Sequence, residues 1–274
     1  VSKQLFQICT IFVFAAAVGQ AGVITIPQSA LVPSTVYYTD LIGGGIGSVI
    51  LDRNDDGYTG PISLGFALNF YGNTYTEFWV NNNGNISFND GISSYTPSGP
   101  QGAPEPIISP FFADVDTRNP ASGLVYLRND IPGQVIVTWD AVGYYDENAD
   151  LLNSFQLVLR GPGYSVPPGE GQIGFFYKTM QWETGDASGG SGGFGGTPAA
   201  VGFGDGQSNG FILAGSTQDG ISGVVSNHHI WFNLSSEGVP ETGNAIPEPS
   251  TLLMLGTGLL FVAAGWKKAA RARG

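Results

Sequence analysis

The chain has 274 residues, a formal charge of −12 and a single cysteine. That acidity works against a nucleic-acid or anionic-lipid surface, because both partners are polyanions. The cysteine, Cys9, falls inside an N-terminal apolar run, so the rest of the chain has no disulfide, thiolate metal site or cysteine nucleophile. Lys3 precedes that run, which extends from Leu5 to Val18, and Gly19-Gln20-Ala21 supplies small residues after it. The pattern predicts a signal helix over residues 1–21, cut by signal peptidase after Ala21.

Residues 22–234 are predicted to form a β-rich body, joined by a polar linker, 235–246, to the C-terminal segment. From 22 to 246 there are 21 Asp and Glu against five basic residues, a formal charge of about −16. Such acidity keeps an exported protein soluble and also attracts divalent cations. Strand candidates recur at 48–51, 65–71, 77–80, 85–88, 107–116, 124–128, 135–139, 154–159, 172–178, 200–204, 210–214 and 229–234, with turn residues between them. Phe155, Leu157 and Leu159 share one strand face, with Gln156 and Arg160 on the other, and Val135, Val137 and Trp139 share a face as well. Asn82-Asn83-Gly84 is a tight-hairpin signal, because Asn and Gly tolerate positive φ. The expected fold class is all-β, an antiparallel sandwich or barrel-like domain.

Five stretches of the body occur in a recognisable order. They are Phe78-Trp79-Val80-Asn81-Asn82-Asn83-Gly84-Asn85-Ile86-Ser87-Phe88, residues 107–118 with Asp114-Val115-Asp116, Val137-Thr138-Trp139, residues 153–159, and Gln181-Trp182-Glu183-Thr184-Gly185. This order resembles the nidogen-like (NIDO) extracellular domain over about residues 65–215. The resemblance implies a link to cell–matrix adhesion and no enzymatic activity.

Candidate sites are few. Asp52-Arg53-Asn54-Asp55-Asp56-Gly57 matches the first half of a calcium loop, with oxygen ligands expected from Asp52, Asn54 and Asp56. Ser63 stands where the twelfth-position Glu belongs, and a solvated turn between strands is the competing reading. Asp114 and Asp116, two apart on one expected strand, point to the same face and either bind metal with Glu183 or pair with Arg118. Gly189-Gly190-Ser191-Gly192-Gly193 satisfies G-x-S-x-G formally but lacks the strand–elbow–helix context of a nucleophile, and 185–196 reads as a mobile surface loop. His228 and His229 are adjacent, so in a strand they face opposite sides.

The C-terminus reads Pro247-Glu248-Pro249, then an uncharged stretch over 251–266 ending in Trp266, then Lys267, Lys268, Arg271 and Arg273. Sixteen helical residues span about 24 Å, a little short of a hydrocarbon core of about 30 Å, and the snorkelling Lys267 and Lys268 make up the difference. A transmembrane helix is therefore expected, with Trp266 at the interface and the basic tail in the cytoplasm. Tripeptide, helix and basic tail over 247–274 closely resemble the PEP-CTERM sorting signal of exported bacterial proteins. The resemblance implies an exosortase as partner. That membrane enzyme cuts near the tripeptide and passes the body from the inner membrane to the cell surface or extracellular matrix.

Three functional readings follow. The first is a non-enzymatic surface or matrix protein of adhesion type. The second is a calcium-assisted carbohydrate-binding module for extracellular polysaccharide, using exposed aromatics such as Tyr144 and Tyr145. The third is a secreted hydrolase with acidic pairs as catalytic carboxylates.

Overall fold

β-branched and aromatic residues spaced two apart build sheets with one apolar face, and two such faces close on each other here. The computed structural model describes residues 22–242; the expected signal helix, the sorting tripeptide and the expected transmembrane helix lie outside the described residues. Among the described residues no helix is long and apolar enough to cross a membrane. The first strands are β1 (Val23–Ile26), β2 (Val32–Pro33), β3 (Ser48–Leu51), β4 (Ile62–Phe70), β5 (Asn73–Asn81), β6 (Asn85–Ser87), β7 (Pro106–Phe112) and β8 (Val115–Asp116). They are followed by β9 (Leu124–Arg128), β10 (Gln134–Tyr144), β11 (Asn148–Arg160), β12 (Ile173–Met180), β13 (Ala200–Asp205), β14 (Gly210–Leu213), β15 (His228–Leu234) and β16 (Pro240–Thr242). Two short helices, α1 (Tyr38–Ile42) and α2 (Ile221–Val225), complete the frame.

The first sheet runs β1-β14-β13-β7-β6-β5-β4, and the second runs β16-β15-β12-β11-β10-β9-β3 with β2 on β15 and β8 on β10. The pairing is antiparallel apart from β1 on β14. Neither sheet closes on itself, so the fold is a sandwich rather than a barrel. Its core is aromatic. Phe111 of the first sheet meets Phe155 of the second at 5.6 Å between ring centroids. Phe203 meets Phe175 at 5.2 Å and Phe232 at 4.8 Å. Trp139 and Phe155, directly opposite in the β10–β11 register, stack at 5.1 Å. Each such pair adds about 0.5–1.5 kcal/mol beyond area burial.

The strand expected over 107–116 is two strands. β7 belongs to the first sheet and β8 to the second, so the chain crosses between sheets at Ala113-Asp114. This crossing carries the candidate site into the interior.

The outer face of the second sheet is also covered. Gln156 and Arg160, on the polar side of β11, are buried beneath α1 and the Trp231 side chain. Tyr38, Ile136, Val158 and Phe176 form a small apolar cluster there, with Trp231 against it. Arg160 is 0% exposed. It donates to Gln134 Oε1 and the Gly171 carbonyl, both at 2.8 Å, and to Tyr38 Oη at 2.6 Å, and it pairs with Glu170. Its guanidinium lies 4.4 Å from the Trp231 ring centroid and 4.7 Å from that of Tyr164. A planar cation with a fork of donors suits such a box, where a polar group left alone would be costly.

Replacing Arg160 with alanine is expected to cost about 3 kcal/mol in urea unfolding of the exported protein. This is the low end of the range for breaking a buried pair, since Glu170 keeps water access. A loss below about 1 kcal/mol would mean that Arg160 does not hold this outer layer in place.

Candidate functional site

The site grows from the Asn-rich hairpin between β5 and β6. Asn81 and Asn85 pair across the hairpin, and Gly84 turns it with φ at 76°. A Cβ on Gly84 would collide with the Phe111 carbonyl, so the turn presses directly against β7. Unlike an ordinary solvent-exposed turn, this one is buried, and its amides must find protein partners. Asn81 Nδ2 donates to Asn85 Oδ1 at 2.7 Å and Ser87 Oγ at 3.0 Å. Asn82 Nδ2 donates to the Val115 carbonyl at 2.6 Å and to the Asp55 carbonyl. Asn83 Nδ2 donates to Asp56 Oδ1 at 2.8 Å, while its Oδ1 accepts from Val115 N–H at 3.0 Å. From the second sheet, the Trp139 indole N–H donates to the Asn82 carbonyl at 3.0 Å.

A second clamp brings in the loop after β3. Arg53 Nη1 donates to the carbonyls of Thr117 and Asn119, both at 2.7 Å, and of Ser122 at 2.8 Å. Asn54 N–H donates to Thr117 Oγ1 at 2.9 Å. The loop is thereby docked beside the sheet crossing, and one carboxylate oxygen from each of Asp55, Asp56 and Asp114 lies within 4.8 Å of the others. Asp114 is 1% exposed, and its Oδ2 has no hydrogen-bond partner; Asp55 Oδ1 has none either. Burial, then the carboxylates of Asp55 and Asp56, push the Asp114 carboxyl up to about 7. Burial and then Asp56 push Asp55 up to about 6, and burial raises Asp56. Arg118 is the cation nearest to them, and Asp116 claims it at 2.5 Å, leaving a contact of 3.3 Å to Asp55 Oδ2. Burial opposes the charge on Asp116, but hydrogen bonds from Arg118 and from the Glu147 N–H outweigh it and hold that carboxyl below its usual range.

Comparison with known proteins places this frame in a family. Residues 30–246 match the family described as NIDO related, which is most of the chain. The chain belongs to the NIDO-related family. Residues 245–268 match the PEP-CTERM protein-sorting motif, which implies export and processing by an exosortase at the membrane. The chain is similar to alpha-tectorin of Mus musculus, 34% identical over 206 residues that cover 64% of this chain and 9% of that protein. It is similar also to nidogen of Drosophila melanogaster, 26% identical over 223 residues covering 66% of this chain and 16% of that protein. Mouse nidogen-2 is 28% identical over 146 residues, or 41% of this chain and 10% of that protein. The chain thus spans about a tenth to a sixth of the length of these relatives. No solved structure matches it.

Within the NIDO-related domain the expected ligands are redistributed. Asp52 is exposed and outside the carboxylate group. Asn54 closes its own turn, with Oδ1 accepting from Gly57 N–H at 2.7 Å and Nδ2 donating to the Asp52 carbonyl at 2.6 Å. Of that expected trio only Asp56 joins the group. Glu183 is buried elsewhere, accepting from Gly220 N–H at 2.7 Å and from Ser222 N–H and Oγ at 2.9 Å, where it fastens the start of α2. Tyr144 is buried and bonded to Asp150, so it offers no face to a sugar, while Tyr145 is half-buried with its ring 5.6 Å from Arg118. His229 stacks on Phe176 at 5.0 Å, and His228 Nδ1 lies 2.8 Å from the Ser226 carbonyl. The 185–196 run folds against the site: the Gly193 carbonyl accepts from Glu183 and Thr184, and a Cβ on Gly185 would strike the Asp114 carboxylate. The sequence pattern names neither Asp55 nor Asn82 as a ligand; their signals are the doubled Asp before Gly57 and the run of three Asn.

The raised carboxyls give a sign for pH. With chelator present, the folded state holds protons on Asp114 and Asp55 that the unfolded chain, titrating at about 3.9, has released. Their contribution to stability is complete below about pH 4 and lost as pH rises through 6 to 7. Thermal unfolding in chelator should therefore give a higher Tm at about pH 5 than at about pH 7.5, with the difference reduced in Asp114→Asn. An equal pH difference in that variant would trace it to general surface charge.

Proposed function

We propose that this protein is an exported, exosortase-processed surface or matrix protein whose β-sandwich serves a non-enzymatic, adhesion-type role. The observation that carries this reading is the union in one chain of a NIDO-related domain over 30–246 and a PEP-CTERM motif over 245–268. The first is shared with alpha-tectorin and nidogen, and the second routes the body outward. In this reading Pro247, Glu248 and Pro249 present the cleavage motif. Trp266 with Lys267, Lys268, Arg271 and Arg273 hold the segment across the inner membrane until it is cut. The body, 22–234, and its linker, 235–246, are what reaches the surface, where matrix components or polysaccharide are the partners.

Two measurements test the reading. Replacing Pro247, Glu248 and Pro249 with alanine should trap a larger, membrane-bound form. The same size and fraction for mutant and parent would make the segment a plain anchor. Cells lacking the gene should lose attachment or matrix cohesion, and regain it from the wild-type gene but not from the sorting variant. Unchanged attachment in the deletion would remove the adhesion role.

A further inference from the structure

The geometry points to a divalent-cation site of calcium type in the sandwich, with Asp55, Asp56 and Asp114 as carboxylate ligands and the side-chain oxygen of Asn82 as a fourth. Three acidic residues close together are not in themselves a site, since acidic surfaces gather them without an ion. The decisive second observation is Asn82. This side chain is 0% exposed, and its Nδ2 donates to two carbonyls, those of Asp55 and Val115. Both are pure acceptors, so the amide orientation is fixed and Oδ1 is the remaining atom. That oxygen has no partner. Asn82 bonds both segments that carry the carboxylates, one running through Asp55-Asp56 and the other through Asp114-Val115.

Buried oxygens without donors are rare and costly. Here three belong to Asp55, to Asp114 and to the Asn82 that bonds the segments carrying them: Asp55 Oδ1, Asn82 Oδ1 and Asp114 Oδ2. Protein donors do not answer them, because Arg118 is held by Asp116 and reaches only the other oxygen of Asp55. A proton on one carboxyl supplies a single hydrogen bond, which answers one of these oxygens and leaves the others without a partner. A cation satisfies all of these oxygens together.

The donor set selects the ion. All candidates are hard oxygens, with no imidazole or thiolate, which disfavours zinc and copper. Two ligands come from a loop, one from a sheet crossing and one from the Asn hairpin, an irregular set suited to the flexible six- to eight-fold coordination of calcium and not to the strict octahedron of magnesium. Waters complete the shell. Affinity is expected in the range of extracellular modules, roughly 10⁻⁴–10⁻³ M. The ion would tie the loop after β3 to the crossing between the sheets. This ligand set shares only Asp56 with the loop pattern of the sequence.

The test uses the full chain in detergent, titrated with calcium chloride or magnesium chloride, or held in chelator, with Tm and calorimetric stoichiometry as readouts. One calcium per chain and a calcium-specific rise in Tm are expected. Asp114→Asn should weaken calcium binding at least about tenfold while keeping or raising the Tm in chelator, because it removes a buried like charge. Asp52→Asn should behave as wild type. Should Asp114→Asn fail to fold, Asp55→Asn carries the same comparison. An equal calcium response in every variant would mean diffuse screening and overturn the site. So would a magnesium response equal to that of calcium, or no response in the wild type, which would leave ordered water as the partner of these oxygens.

Discussion

Everything in this fold hangs on a polar turn that water cannot reach. Asn81, Asn82, Asn83 and Asn85 are all buried, and a buried amide is tolerable only when its donors are used. Their hydrogen bonds reach the loop after β3, the crossing at Val115 and, through the Trp139 indole, the opposite sheet. An apolar core alone would hold two sheets together without setting their mutual register. The Asn turn fixes it, because sliding one sheet would strand several amides at once. The stretches that carry the family resemblance gather around this point. Trp182 packs edge-on to Phe111 and bonds the Val142 carbonyl, and Asn153 holds the backbone of Gln181 and Trp182.

The second organising element is on the outside. A sheet of a sandwich ordinarily shows a polar face to water, yet here α1 and Trp231 close over β10, β11 and β12. Gln156 bridges Thr39 and Thr138, and Arg160 sits in a cage of aromatic rings. The segment before β3 is therefore part of the domain, and the body cannot be trimmed to the sheets alone without exposing a buried cation and several orphaned acceptors.

Much of this was legible in the residues. Alternation in 154–159 and 135–139 marked the strands that carry Phe155 and Trp139, and Asn82-Asn83-Gly84 marked the hairpin. Period-two patterning tells which residues share a face, but not whether the second face is covered. The alternation places Gln156 and Arg160 on the face opposite Phe155, and only the packing of α1 and Trp231 buries them there. Nor does it tell where a run changes sheets: 107–116 is uniformly strand-like, and the break at Ala113-Asp114 depends on contacts with the distant Asn83. The candidate ligands show the same limit. Spacing proposed Asp52, Asn54 and Asp56 as one loop, whereas Asn54 spends its side chain closing the turn and Asp55 turns inward to meet a carboxylate from far along the chain. Glycines in 185–196 suggested mobility, but several are small because backbone or the Asp114 carboxylate lies against them.

An exported protein without disulfides in its body is held by packing and hydrogen bonding, and the Asn turn is where those two meet. The most direct test is hydrogen exchange at the Trp139 indole N–H, followed by NMR under native conditions. If the turn holds the sheets in register, this proton should exchange only through global unfolding, with a free energy equal to that from denaturant. Exchange through a local opening several kcal/mol cheaper would show that the turn can detach while the sandwich stays folded, contradicting its central place.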